Sequence, residues 1–139
     1  MELKSLTYTS WARPTLGAED VEAILRSAQI NNPLDGITGI MIFNGTAFMQ
    51  VLEGSETGVQ DLFQRLANDQ RHSNITIRRE QTIAARSFPD WSMAYLRLED
   101  RTFVGKKAVQ RALLRDLPQP ILNLMMGMSY AVGQVERPL

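Results

Sequence analysis

Apolar positions along this chain recur either every second residue or every third and fourth, and the succession of the two patterns sketches the fold. Leu6-Thr7-Tyr8-Thr9-Ser10 centres a predicted strand over about residues 4–10, closed by the Arg13-Pro14 turn. Glu19 and Asp20 then put negative charge in the first turn of a helix. Its Val21, Ile24, Leu25 and Ala28 fall at i, i+3, i+4 and i+7, which gives one buried face. The helix stops near Asn32-Pro33. Ile37 to Phe43 predicts a second strand, and its run Ile40-Met41-Ile42-Phe43 is apolar on both sides, so the sheet must be covered on both faces. Asn44-Gly45 marks a tight hairpin into a third strand, about residues 46–53, ended by Gly54. Thr57 and Gln60 have the spacing of a capping box, and Val59, Leu62, Phe63 and Leu66 repeat the helical stripe. Ile75, Ile77 and Ile83 predict a fourth strand, and Trp91 to Leu98 a short fifth one after Pro89.

The order β-α-β-β-α-β-β predicts an α+β, ferredoxin-like sandwich with both helices on one sheet face. Residues 101–116 and 119–131 supply two further helical segments, and Val104, Ala108, Ala112 and Leu113 form an apolar stripe on the first. They are the candidates to cover the outer face. The expected organisation is thus a binding domain over residues 1–98 and a helical extension over 99–139 packed on its sheet. Met125, Met126 and Met128 read as packing residues, or as a thioether surface able to repack.

At 139 residues the chain is long enough for one real core and too short for a regulatory domain plus an enzyme, so its output is expected to act in trans. Fifteen basic and fifteen acidic side chains cancel, and no basic run marks a nucleic-acid footprint. No apolar stretch reaches the length of a membrane span, and Met1-Glu2-Leu3-Lys4 leads straight into a strand, which predicts a cytoplasmic protein. Zero cysteines and the lone His72 leave no thiolate or multi-histidine metal site. Chemistry must come from other groups, a bound cofactor among them.

Gln50 is the polar residue that needs an explanation. In Phe48-Met49-Gln50-Val51-Leu52 it shares a strand face with Phe48 and Leu52, opposite Met49 and Val51. A buried amide left unpaired costs roughly 1–3 kcal/mol, so something polar must meet it. Tyr8 in the first strand and Asn31-Asn32 at the end of the first helix are the other candidates. A phenol and three carboxamides around one cavity suit a flat heterocycle rich in imide and carbonyl groups.

Five segments in this spacing resemble the BLUF domain, the family of blue-light sensors that use FAD. They are Leu6-Thr7-Tyr8-Thr9-Ser10, Asn31-Asn32-Pro33-Leu34-Asp35-Gly36-Ile37-Thr38-Gly39, Phe48-Met49-Gln50-Val51-Leu52-Glu53-Gly54, Asp69-Gln70-Arg71-His72 and Phe88-Pro89-Asp90-Trp91-Ser92-Met93. The resemblance covers residues 6–93, and the remainder is similar to the two helices of short, stand-alone members. It implies a non-covalent FAD, with FMN or riboflavin as variants, whose ring lies between the two helices beside Tyr8 and Gln50. Asn32 would hold the O4/N3 edge and Asn31 the O2 side. Arg65, Asp69, Arg71 and His72 would lie near the ribityl and phosphate portion. Ala28 stands where family members often carry serine, and Ile30 where they often carry a basic residue, which removes local ring and phosphate contacts.

The resemblance further implies a photoreceptor, not an enzyme. Tyr8 would donate an electron and then a proton through Gln50, and a rearranged Gln50 amide would persist as a red-shifted state. Trp91 or Met93 would stand next to Gln50 and pass the change to the C-terminal helices. The implied partners are a downstream effector protein and further copies of the chain, with no nucleic acid and no membrane.

Each residue also has a plainer reading. Tyr8 alone is a core aromatic with its hydroxyl satisfied, Asn31-Asn32 a helix end, and Arg65, Arg71 and His72 a solvated one. Two other function classes compete. An RNA-recognition-like module shares the element order, but the third strand lacks its basic and paired-aromatic pattern. A small flavin-dependent or acylphosphatase-like enzyme lacks a Gly-rich phosphate loop and a nucleophile–base pair here.

Overall fold

The computed structural model describes residues 2–89 and 92–97 together with the single positions Gln119 and Asn123. Its elements follow the expected order: β1 (Leu3–Ala12), α1 (Ala18–Asn31), a 3-10 turn (Asn32–Asp35), β2 (Thr38–Phe43), β3 (Ala47–Gly54), α2 (Glu56–Ala67), β4 (His72–Ile83) and β5 (Ala94–Arg97). The sheet order is β4-β1-β3-β2-β5, antiparallel throughout except that β5 runs parallel to β2. The first four strands make the ferredoxin-like sheet, and β5 widens it beyond β2.

Strand parity decides the two faces. Leu6, Tyr8, Met41, Phe43, Phe48 and Leu52 form one core with Val21 of α1 and Val59 of α2. Ile24, Leu25, Ala28, Leu62, Phe63 and Leu66 complete the helix side of that core. Both predicted stripes are therefore packed against the same sheet face. Thr7, Ile40, Ile42, Met49 and Val51 have the opposite parity and are buried as well, as the double-sided apolar run of β2 required. The expected cover for that face, residues 101–116 and 119–131, lies outside the described residues apart from Gln119 and Asn123, and the boundary at 98/99 lies outside them as well. Among the described residues no helix is long and apolar enough to cross a membrane.

Local chemistry departs from expectation at three places. The cap of α2 is Ser55, whose Oγ accepts the Gly58 N–H at 3.1 Å, and not the Thr57–Gln60 pair, which already lies inside the helix. A serine directly before the first turn reaches the orphan N–H groups that Thr57 cannot. β4 is an edge strand with two register shifts against β1, so the alternation of Ile75 and Ile77 does not carry both inward, and Ile77 is half exposed. Met93 precedes β5, because the strand begins at Ala94. Gly39 sits where β2 passes closest to β3: a Cβ there would stand 1.9 Å from the Val51 carbonyl oxygen.

The ten residues 84–93 connect β4 at one edge to β5 at the other. Arg86, Ser87 and Phe88 of this connection bond Glu53, Thr38 and Gly36 at the end where β3 finishes and β2 starts. Met93, at its other end, joins the helix-side core.

Candidate functional site

Tyr8 and Gln50 are direct partners in the antiparallel register of β1 and β3. Both point to the helix side, and both are buried, at 2% and 5% exposure. The Tyr8 hydroxyl donates to Gln50 Oε1. The other end of the amide, Nε2, donates to Met93 Sδ at 3.6 Å. Thus three side chains from β1, β3 and the β4–β5 connection form one buried polar chain. Burial, and after it the negative charge of Asp69, holds the Tyr8 phenol well above the usual tyrosine range. Tyr8 is consequently a neutral donor. Phe63 of α2 fixes its ring from the side, edge to face with centroids 5.7 Å apart.

A cleft lies over this chain, and its roughly 320 Å³ of space is continuous with open solvent. Ile24 of α1, Leu66 of α2, Met41, Phe48, Tyr8 and Gln50 line its inner part, and Asp69, Arg71 and His72 its mouth. Asp69 and Arg71 form a fork, with Arg71 Nη2 2.6 Å and Nε 3.1 Å from Asp69 Oδ2. That hydrogen bond, above all, keeps the Asp69 carboxyl below the usual carboxylate range, and the same bond raises the Arg71 guanidinium. His72 lies 2.7 Å from Ser10 Oγ through Nδ1 and 2.5 Å from the Leu66 carbonyl through Nε2. A carbonyl only accepts, so Nε2 carries the proton and His72 ties β4 to the end of α2.

The remaining sequence-nominated residues are distributed around the cleft. Asn32 is buried, and its Nδ2 donates to the Ser92 carbonyl at 2.8 Å, holding the β4–β5 connection against the end of α1. Asn31 is exposed and bonds Ser27 within the helix at 3.2 Å. Arg65 is exposed as well, paired with Asp35 at 3.2 Å across the gap between α2 and the 3-10 turn. Met93 stands beside Gln50, and Trp91 lies outside the described residues. Among the described residues no group of histidines and carboxylates is arranged to hold a metal.

Residues that sequence reasoning passed over complete the site. Ser10 partners His72, Gln29 Nε2 donates to the Met93 carbonyl at 3.2 Å, and Glu53 and Arg86 hold the start of the same connection. Glu53 carried a visible signal, a carboxylate inside an apolar strand. Gln29 and Arg86 carried none, because their partners, mostly backbone groups, are remote in sequence.

The residues present fit the ring of a flavin. Gln50 Nε2 meets a thioether, a weak acceptor, inside an otherwise apolar cleft, which is an amide donor suited to a carbonyl- or imide-bearing ring. At the mouth, Arg71 is already compensated by Asp69, so the cleft offers a phosphate less net positive charge than its arginine suggests.

Comparison with known proteins agrees with this geometry. The family model described as sensors of blue-light using FAD matches residues 3–94. The photoactivated adenylate cyclase subunit beta of Euglena gracilis is 33% identical over 92 residues, which are 66% of this chain and 11% of that protein. The blue light- and temperature-regulated antirepressor BluF of Escherichia coli K12 is 36% identical over 73 residues, 52% of this chain and 18% of that protein. This chain therefore spans only about a tenth to a fifth of the length of these relatives. The dark-state structure of the BLUF protein BlrB is 34% identical and covers 94% of this chain and 96% of its own, with a TM-score of 0.73. With the matched region spanning both helices, the Tyr8–Gln50 pair and Met93, the chain belongs to the BLUF family of blue-light sensors using FAD.

Proposed function

We propose that the chain works as a hydrogen-bond photoswitch in which Tyr8 and Gln50 are the active pair, Met93 is the first reporter, and a separate effector protein reads the result. The observation that carries the reading is the continuous chain from Tyr8 Oη through the Gln50 amide to Met93 Sδ. Bound oxidised flavin, on absorbing blue light, supplies a strong oxidant at this place. Tyr8 then provides the electron and holds the transferable proton at Oη, kept there in the dark by its raised pKa. Gln50 is the relay. Its two ends differ chemically, one acceptor and one donor, so a turned or tautomerised amide offers each neighbour the wrong partner. Asn31 and Asn32 would flank the ring edge, and Arg71, with Asp69, Arg65 and His72 around it, the ribityl and phosphate side.

One exchanged hydrogen bond is worth about 1 kcal/mol, a roughly fivefold change in an equilibrium. That magnitude suits biasing a binding surface. We therefore assign output to a protein partner in trans, or to contacts between copies of this chain, and no catalysis to the domain itself. The relatives' names join this type of domain to a cyclase subunit and to an antirepressor, two outputs that a small bias in contacts can govern.

Purified protein should be yellow, and blue light should shift its absorption to the red reversibly without bleaching. Tyr8→Phe should keep the flavin and lose the shift. A Tyr8→Phe protein that photocycles normally removes Tyr8 from the mechanism, and a wild type that cannot be loaded with FAD, FMN or riboflavin removes the reading altogether.

A further inference from the structure

We propose that Glu53, backed by Arg86, is a positioning residue for the switch: its carboxylate fastens the β4–β5 connection so that Met93 is delivered to Gln50. The inference rests on the photosensor reading. Gln50 and Glu53 lie on the same strand with opposite parity, so they point to opposite faces of the sheet. Both nevertheless take hold of residues 84–93. Gln50 meets this connection at Met93, while Glu53 Oε2 accepts the Ser87 N–H at 2.8 Å and Oε1 the Phe88 N–H at 2.9 Å.

Glu53 is 1% exposed. An apolar side chain there would continue the face made by Met49 and Val51, whereas a buried carboxylate is unfavourable unless donors replace its water. Two backbone N–H groups of one short segment do so, and they fix that segment's distance from β3 in a way an apolar contact cannot. Arg86 adds three bonds from the same segment: Nη1 to Thr38 Oγ1 at 2.8 Å and to the Glu53 carbonyl at 3.0 Å, and Nη2 to the Gly36 carbonyl at 2.8 Å. At the far end Asn32 and Gln29 hold the Ser92 and Met93 carbonyls.

The contrast in strength decides what governs Met93. Its contact with Gln50 is a 3.6 Å N–H···S bond, the weakest in the set, while those at Glu53 are short bonds to a carboxylate. Met93 therefore stands where the clamp puts it and not where the amide draws it. A change at Gln50 works against a segment pinned on both faces of the sheet, and the pinning sets how readily Met93 yields and returns.

Glu53→Gln keeps the size and one acceptor but turns an N–H₂ toward a backbone donor, so one of the two anchors is lost. The full chain, loaded with FAD, carries ¹³C-methyl methionine, and Met93→Leu assigns one resonance among the seven methionines. The Met93 resonance should move or split in the dark while flavin content holds. Dark recovery after blue light should change by about threefold or more. In the Met93→Leu background Glu53→Gln should leave recovery unaltered, since coupled residues do not add. An unmoved Met93 resonance overturns the proposal, and so does a recovery change that persists in the Met93→Leu background. Should Glu53→Gln fail to fold, Arg86→Gln reads the same connection from its solvent side with the same two criteria. A wild type that binds flavin without a red shift defeats the photosensor reading alone, because the Met93 resonance is read in the dark and still decides the role of Glu53.

Discussion

Tyr8 and Gln50 are opposed across β1 and β3, and the phenol donates its hydrogen bond into the amide from a position closed to solvent. Because the folded protein disfavours the phenolate, this pair links stability to alkaline pH. Tyr8 contributes its stability fully below the ordinary tyrosine pKa of about 10, and loses it as pH rises from there toward the raised folded value. Tyr8→Phe should therefore lose stability less steeply than wild type between about pH 9 and 11. Urea midpoints across that window measure it, and parallel curves would contradict the burial of a neutral phenol.

Asn32→Ala should cost about 1 kcal/mol, because the part-buried bond from Asn32 to the Ser92 carbonyl is lost. Flavin titration followed by fluorescence should show weaker binding in the same variant. Asn31→Ala, at an exposed helix position, should stay within about 0.5 kcal/mol of wild type in urea unfolding. Equal stability losses for the two would remove the distinction drawn between them.

The Asp69–Arg71 fork is part-exposed, with side-chain exposures of 21% and 38%, so its worth at neutral pH is small, under about 1 kcal/mol. Asp69 has a lowered pKa, so its contribution is present above the ordinary carboxylate range and is lost as pH falls through the lower folded value. Arg71→Gln should flatten the acid limb of the melting temperature against pH. With the phosphate side of the cofactor at this mouth, as proposed above, it should also weaken FAD more than riboflavin, since Asp69 is then left uncompensated. Identical losses for the two flavins in calorimetric titration would place Arg71 away from them.

Gly39→Ala should destabilise the protein by about 3 kcal/mol or more, because a methyl group at 1.9 Å from the Val51 carbonyl forces two central strands apart. Thermal unfolding settles it. A melting temperature within a few degrees of wild type would mean the sheet opens there without cost.

Periodicity made most of this architecture legible. The stripes Val21-Ile24-Leu25-Ala28 and Val59-Leu62-Phe63-Leu66 each faced the sheet as their spacing demanded. Gln50 was legible for a related reason, since an amide on the apolar parity of a strand needs a partner. The cap at Ser55 and the exposed Ile77 escaped because they depend on where a strand ends and on register shifts along an edge, which no short-range pattern encodes. Finding Met93 beside Gln50 required the placement of residues remote in sequence. Glu53, Arg86, Asn32 and Gln29 bond the described parts of the β4–β5 connection and its neighbours mostly through backbone groups, which have no side-chain signature.

β1 and β3, which carry the Tyr8–Gln50 pair, each have a hydrogen-bonded strand on both sides, whereas Met93 immediately precedes β5 at the margin of the sheet. Opening a central strand means breaking two ladders, and freeing a four-residue border strand means breaking one short one. The molecule thereby separates a part held on both sides, where Tyr8 and Gln50 meet, from a part whose local opening is inexpensive. An impulse too weak to disturb the middle of the sheet is still large enough to matter at its border.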